Sequence, residues 1–193
     1  MKQSFVLGFT LIELLVTVTM IGIVLTIGVP AFKDTIRNNL LTANINEFIA
    51  TLNFARSESV KRGVSVTIRK ASSSSSVGWE GGWEVFTDSN ENGTKDVDTD
   101  QVIRVHEPLK TNLSLRGSNI NFVNRITYKP SGVSNTFGSF ALCDTSVKGK
   151  PTTRSARLIT VSILGRVSLT ADVDKDGILK KSDGSNFADC TSP

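Results

Sequence analysis

The amino-acid sequence predicts an α+β fold in which a long N-terminal helix packs on a C-terminal antiparallel β-sheet or β-sandwich. Three features support this prediction: an apolar stretch near the start, an apolar stripe with helical spacing after it, and short β-branched runs separated by turn residues. The chain has 193 residues, 39% of them hydrophobic and 21% charged. That length and composition suit one globular domain with one elongated element.

The apolar stretch runs from Phe9 to Val29 and is interrupted only by Glu13 and four threonines. A membrane span needs about 20 apolar residues, so a helix here is long enough to cross a bilayer. A secretory signal peptide has its small-residue cleavage site after the apolar region, whereas Gly8 precedes this one. Cleavage after Gly8 would therefore leave the helix on the mature chain as a permanent anchor.

Glu13 is the one charged residue inside this stretch. A carboxylate within a membrane helix costs roughly 2.5–3.5 kcal/mol on insertion scales and usually has a partner. Cleavage after Gly8 would create an α-amine on Phe9, which lies too close in sequence to pair with Glu13 in one straight helix. The amine of a neighbouring subunit is thus the expected partner. The alternative is a glutamate that snorkels to the interface of an ordinary anchor.

Beyond Pro30 the pattern becomes amphipathic. Gly63 follows Lys61 and Arg62, as expected for a helix C-cap with cations at the negative end of the helix. The predicted helix therefore runs from Phe9 to Arg62, with a bend at Pro30, because proline removes a helical hydrogen bond. One apolar stripe recurs at alternating spacings of four and three residues: Leu41, Ile45, Phe48, Leu52, Ala55 and Ser59.

The remainder of the chain reads as β-structure. Ser72–Ser76 is a serine run, which predicts a loop. Eight short alternating or β-branched runs predict strands: Val64–Arg69, Gly82–Thr87, Gln101–His106, Asn112–Arg116, Arg125–Lys129, Phe137–Cys143, Leu158–Ile163 and Arg166–Thr170.

The N-terminal stretch GFTLIELLVTVTMIGIVLTIGVPAF, which begins at Gly8, resembles the type III signal of type IV pilins and type II secretion pseudopilins. The resemblance implies that a prepilin peptidase cleaves between Gly8 and Phe9 and methylates the new N-terminus of Phe9. It also implies that Glu13 directs assembly and that the helix is kinked at Pro30.

Three further segments resemble the GspH/FimT branch of these proteins: Leu52–Val60, Gly82–Asp88 and Ile163–Val167. The resemblance implies a type IV pilin-like fold and a minor pseudopilin or minor pilin, which is a structural subunit without a cofactor rather than an enzyme. Its implied partners are other pilins or pseudopilins, the prepilin peptidase and the bacterial inner membrane.

The sequence and the resemblance together predict four segments. Residues 1–8 are the leader, 9–29 the transmembrane half of the helix, 30–62 its amphipathic periplasmic half, and 63–193 a β-rich domain in the periplasm.

Cys143 and Cys190 are the two cysteines. An even number suits one disulfide in an oxidising compartment, whereas in the cytosol the two would be unpaired thiols. Since the resemblance puts the domain in the periplasm, we expect a disulfide between them.

Two acidic loops admit a calcium interpretation. One has the spacing of an EF-hand loop, with aspartate in place of the final glutamate; its candidate ligands are Asp172, Asp174, Asp176 and Asp183. A looser match covers Asp88–Asp96. Lys180 and Lys181 beside the first loop argue against a metal, and Asp, Asn and Gly also simply form turns. The residues alone therefore fit both a metal site and a simple turn.

DNA binding is the alternative function. Some FimT-like proteins bind DNA during uptake through a Gly-Arg-x-Arg motif, and this chain has Gly165-Arg166-Val167-Ser168, without the second arginine. Four nearby cations add positive charge: Lys148, Lys150, Arg154 and Arg157. A formal net charge of +4 permits contact with a polyanion but does not predict it.

Catalysis is not predicted. His106 is the single histidine and has no serine or cysteine signature beside it. With one histidine and two cysteines, a zinc cluster is not expected either. Trp79 and Trp83 are predicted to pack in the core.

Overall fold

The computed structural model describes residues 9–71, 78–110, 112–118, 122–147, 151–172, 174–181, 185–187 and 189–190. It comprises two compact units, Met1–Arg37 and Asn38–Pro193, called here the N-terminal unit and the globular unit. The predicted leader and the serine run lie outside the described residues. Helix α1, Leu11–Arg62, contributes residues to both units.

In the N-terminal unit, α1 begins at Leu11, directly after Thr10, whose hydroxyl accepts the backbone N–H of Glu13 at 3.3 Å. The described residues contain one helix that is long and apolar enough to cross a membrane, judged by length and composition alone. Thr17, Thr19 and Thr26 donate their hydroxyls to backbone carbonyls one turn earlier at 2.7–2.9 Å. These polar groups are therefore satisfied within the helix, as an apolar surrounding requires.

In the globular unit, α1 presents the predicted stripe to the core. All six residues of that stripe are buried, which confirms this prediction. The helix ends as expected at Gly63, which adopts φ +66° and donates its N–H to the carbonyl of Ser59 at 3.1 Å.

Eight strands follow: β1 Val66–Lys70, β2 Trp83–Thr87, β3 Val102–His106, β4 Leu113–Gly117, β5 Arg125–Tyr128, β6 Gly138–Asp144, β7 Ala156–Val161 and β8 Val167–Leu169. Each coincides with a predicted run, with ends that differ by at most two residues. Sequence patterns did not predict the 3₁₀ turn at Trp79–Gly81.

The strands form two antiparallel four-stranded sheets. Sheet 1 has the order β3-β2-β1-β5 and sheet 2 the order β4-β6-β7-β8. The main core contains side chains from α1 and from both sheets. Phe48 of α1 makes edge-to-face contacts with Trp79, Trp83 and Phe140 at ring-centroid distances of 5.6, 5.0 and 4.9 Å. One helix side chain thus contacts residues of both sheets, and the two tryptophans pack in the core as predicted.

Further chain segments pack beside the two sheets. A smaller apolar cluster joins Ala141 and Leu158 of sheet 2 to Leu179 and Phe187 of the C-terminal segment. On sheet 1, the loop after β2 contributes Asp88, whose carboxylate accepts a hydrogen bond from Thr67 at 2.6 Å. Each of these two segments contains one of the two acidic loops identified in the sequence.

Candidate assembly helix and surfaces of the globular unit

The residues implied in processing and assembly lie at the start of the N-terminal unit. Gly8 is outside the described residues, whereas Phe9 is 81% exposed. Glu13 lies in the first turn of α1 and is exposed. Within the part of the chain that the structure describes, its carboxylate makes no hydrogen bond or ion pair. The described residues therefore leave this charge available for a further partner.

Arg56 joins two of the segments that carried the family resemblance. From α1 it donates Nε to the carbonyl of Gly132 at 2.8 Å and a terminal nitrogen to the carbonyl of Leu164 at 3.1 Å. Gly165 adopts φ +75°, and a Cβ there would collide with the carbonyl oxygen of Gly132. Leu52–Val60 and Ile163–Val167 thus meet at this arginine. The sequence offered only a weak signal for this role, a cation off the apolar stripe.

The third segment, Gly82–Asp88, consists of β2 and one residue on each side of it. Trp83 contacts α1 through a hydrogen bond of 3.4 Å from its indole nitrogen to the hydroxyl of Thr51. Gly82 adopts φ +90°, and a Cβ added there would lie 2.5 Å from the carbonyl oxygen of His106. This segment therefore makes close contacts with both the helix and β3.

The side chain of His106 is held by ring stacking and by polar contacts. Its ring stacks on Trp83 with centroids 3.9 Å apart, and its Nε2 lies 2.8 Å from a carboxylate oxygen of Glu47 on α1. Its Nδ1 lies 2.7 Å from the backbone oxygen of Glu107. These contacts tie the edge strand β3 to the helix. The sequence did not indicate the partnership with Glu47, because the two residues are far apart in the chain.

Arg166 is exposed at the start of β8. It lines a shallow cleft of about 310 Å³ that also includes Phe137 and Ile163. Ser168, which stands where the DNA-binding motif has its second arginine, lies with its hydroxyl 2.9 Å from that of Thr160.

The nearby basic residues do not all form one positively charged surface with Arg166. Lys148 and Lys150 lie outside the described residues, and Arg154 is exposed. Arg157 instead donates to Asn38 and Thr42 of α1 at 3.1 and 3.3 Å, and burial lowers the pKa of its guanidinium. Its charge is therefore used within the globular unit.

The C-terminal acidic loop brings carboxylate oxygens of Asp172, Asp174 and Asp176 within 4.8 Å of one another. The ammonium of Lys180 forms an ion pair with Asp174, and that hydrogen bond lowers the pKa of the Asp174 carboxyl. Asp183, the fourth candidate ligand, lies outside the described residues. An internal cation thus already contacts this cluster.

The C-terminal segment is attached to sheet 2 through the cysteines. Cys143 on β6 and Cys190 form a disulfide with a Cα–Cα distance of 6.1 Å. Cys143 is buried in the smaller apolar cluster, and Cys190 packs against it. The pairing expected from the sequence is the one that the structure contains.

Comparison with known proteins identifies one family and one fold. The model of the family described as type II transport protein GspH matches residues 44–165. A crystal structure of the type IV minor pilin FimU from Pseudomonas aeruginosa is similar with a TM-score of 0.56 at 20% identity, over 79% of this chain and 96% of that chain. A second crystal form of FimU gives 0.54 at 20% identity, over 78% and 99%. No curated protein matches the chain by sequence.

Proposed function

Because the chain belongs to the GspH family of type II transport proteins, we propose that it is a minor subunit of a type II secretion pseudopilus or a type IV pilus. Its fold is that of a type IV pilin, and proteins of this family and fold are structural pilins rather than enzymes. The observation that carries the proposal is α1, which contributes an exposed apolar span to one unit and a buried stripe to the other.

The N-terminal unit supports membrane anchoring. Its large apolar residues are 43–82% exposed, and its threonine hydroxyls are bonded within the helix. Water is an unfavourable surrounding for such a surface, and a lipid bilayer is a favourable one. We propose residues 9–29 as a single pass through the bacterial inner membrane, with the globular unit in the periplasm. An oxidising periplasm would also suit the disulfide.

We further propose that the prepilin peptidase cleaves between Gly8 and Phe9. Glu13 then pairs with the methylated N-terminal amine of a neighbouring pilin or pseudopilin. Its exposed carboxylate, without a partner among the described residues, supports this role. Transfer of such a charge into lipid is unfavourable unless a cation meets it, so pairing would favour the assembled state.

Cleavage can be tested by co-expression with a prepilin peptidase. We expect the intact mass to fall by residues 1–8 and rise by one methyl group. Gly8→Val should stay uncleaved, because the added side chain blocks the scissile position. Gly22→Val is the matched control, since a Cβ at Gly22 meets nothing within 4 Å. Equal cleavage of Gly8→Val and wild type would contradict the proposed site.

Assembly can be tested separately in the source bacterium by recovery of the chain in sheared filaments or in crosslinked complexes with other pilins. Glu13→Gln should be cleaved normally but lost from assemblies. Thr17→Val is the control, because Thr17 lies one turn further along the same helix and its hydroxyl bonds only to Leu14 among the described residues. If Glu13→Gln assembled as well as wild type, Glu13 would be a snorkelling glutamate instead.

The two machines are distinguished by deletion of the gene. Loss of secreted proteins with normal pili identifies the pseudopilus, and loss of pili with normal secretion identifies the pilus. A chain that is dispensable for both would contradict the proposal.

Uptake of DNA remains the second candidate, and the exposure of Arg166 is the observation that favours it. Clustered cations supply most of the affinity for phosphates, but Ser168 offers none. A gel shift at low salt should separate wild type from Arg166→Ala if this residue contacts DNA. Identical or absent shifts in the two proteins would exclude that role for Arg166.

A further inference from the structure

The loop after β2 has an electrostatic feature that the proposed role in assembly does not explain. Among the described residues, three buried side-chain oxygens have no hydrogen-bond partner: Oδ1 of Asp88, Oδ1 of Asp172 and the hydroxyl of Tyr128. Two of them belong to the aspartates that begin the two acidic loops. A buried polar atom without a partner costs about 1–3 kcal/mol, and more if it is charged. A carboxylate oxygen in this state suggests a cation.

Asp88 is the stronger case because it is 0% exposed. Its Oδ2 accepts the hydroxyl of Thr67 at 2.6 Å and the backbone N–H of Gly93 at 2.9 Å. Since Gly93 lies five residues later, the chain folds back around the carboxylate. The buried Oδ1 of the same carboxylate is left without a hydrogen-bond partner among the described residues.

The same turn contains further side-chain oxygens. The side-chain amide oxygens of Asn90 and Asn92 accept the backbone N–H groups two residues later, at 3.2 and 2.6 Å. Each amide oxygen has two lone pairs and keeps one for a ligand. The NH₂ groups of both asparagines hold Asp96 Oδ2 at 2.9 and 3.0 Å. Two carboxylates and two amide oxygens are hard ligands of the type that calcium prefers.

The hydrogen bonds of two neighbouring cations go to groups other than Asp88. The guanidinium of Arg125 donates to the backbone carbonyl of Asn92. The ammonium of Lys95 pairs with Glu84 at 3.0 Å. The negative charge of Asp88 is therefore met by two neutral donors and by no side-chain cation among its hydrogen bonds.

We propose that the turn formed by residues 88–96 binds a calcium ion, with Asp88 Oδ1 as its buried ligand. Asn90, Asn92 and Asp96 supply the other side-chain oxygens. The ion would hold the loop against Thr67 on sheet 1. The loop that begins at Asp172 differs, because Lys180 already pairs with its second aspartate. The proposal therefore concerns the Asp88 turn.

The expected affinity is modest. Calcium sites with few charged ligands in extracellular modules have Kd values on the order of 10⁻⁴–10⁻³ M. Magnesium should bind more weakly, because it demands near-octahedral geometry and loses its water reluctantly.

The test is calorimetric titration of calcium chloride into the full chain, held in detergent after treatment with a chelator. Asp88→Asn and Asn90→Ala should each weaken binding at least about tenfold, since each removes one ligand oxygen or its charge. Asn90→Ala keeps the test valid if Asp88→Asn does not fold, because Asn90 is exposed. Asp98→Asn removes an exposed carboxylate of the same loop and should leave the affinity unchanged.

The Asp172→Asn variant shows which of the two acidic loops produces the heat of calcium binding. Binding that persists in Asp172→Asn and is weakened at least about tenfold in Asn90→Ala supports the Asp88 turn. Binding that is lost in Asp172→Asn but retained in Asn90→Ala overturns the proposal. Absence of heat up to about 10 mM calcium, well above the weakest expected Kd, also overturns it.

Discussion

The two parts of α1 place apolar side chains in opposite surroundings. Val24, in the N-terminal unit, is 67% exposed, whereas Phe48, in the globular unit, is 0% exposed. None of the described residues from Phe9 to Ile36 is buried, and eight residues between Leu41 and Ser59 are. Burial of apolar area contributes about 25 cal/mol per Å². The second part therefore stabilises the fold by itself, and the first part gains the same energy only from lipid or from other subunits.

The largest expected change in the free energy of unfolding comes from substitution of one apolar residue in each part of α1. Phe48→Ala should lower the free energy of unfolding by about 3–5 kcal/mol, because it leaves a cavity beside Trp79, Trp83 and Phe140. Val24→Ala should change it by less than about 0.5 kcal/mol, as is usual for surface substitutions. Denaturant unfolding in detergent, followed by tryptophan fluorescence, measures both. Equal losses would show that the N-terminal unit also packs against the protein.

The disulfide should produce the next largest effect, again confined to the globular unit. Replacement of Cys143 and Cys190 by alanine should lower the free energy of unfolding by roughly 3–4 kcal/mol in the chain-entropy model, because the loop that they close spans 47 residues. Reduction with a thiol should destabilise wild type but leave the double variant unchanged. Free thiols in protein purified from the periplasm would contradict the expected disulfide.

The smallest expected change in the free energy of unfolding comes from neutralising one ion-paired carboxylate in each unit. Burial raises the pKa of Glu84, but hydrogen bonds from Lys95 and Arg69 outweigh it and hold the pKa below its ordinary value of 4.5. A lowered pKa means that the charged form stabilises the folded state at neutral pH. This contribution is present above pH 4.5 and is lost as the pH falls through the lower folded pKa.

Glu84→Gln should therefore cost about 1.5–3 kcal/mol at pH 7, the range of hydrogen bonds to charged groups, and progressively less in acid. Asp34→Asn is the control in the N-terminal unit, where Asp34 pairs with Arg37 at 3.1 Å but is 58% exposed. Exposed pairs contribute about 0–1 kcal/mol, so little change is expected. Unfolding midpoints at several pH values measure both variants. A pH-independent loss in Glu84→Gln would contradict this account.

Most elements of the fold could be predicted because their signals are local. The alternation of side chains along each strand and the spacing of four and three along α1 are properties of neighbouring residues. The C-terminal end of α1 was likewise predictable from three neighbouring residues, Lys61, Arg62 and Gly63. The 3₁₀ turn at Trp79–Gly81 escaped prediction because three residues are too few to show a period.

The candidate sites were less accessible from the sequence. Glu13 could be singled out because a lone charge in an apolar stretch is unusual anywhere. Arg56 and Glu47 could not, since their roles depend on Gly132, Leu164 and His106, which lie far away in the chain. Asp88 was visible as part of a turn motif, but only the tertiary structure shows that its Oδ1 is buried without a hydrogen-bond partner.

The amino-acid sequence by itself determined the apolar span, the helical stripe, the eight strands and the two cysteines able to pair, because each depends on residue type and on spacing along the chain. The tertiary structure decided the strand orders, the contacts of Arg56 with distant carbonyls and the isolation of Asp88 Oδ1. These depend on which distant segments share one surface. Hydrogen bonding and burial act through space, and no local pattern encodes the atoms that finally surround a charge.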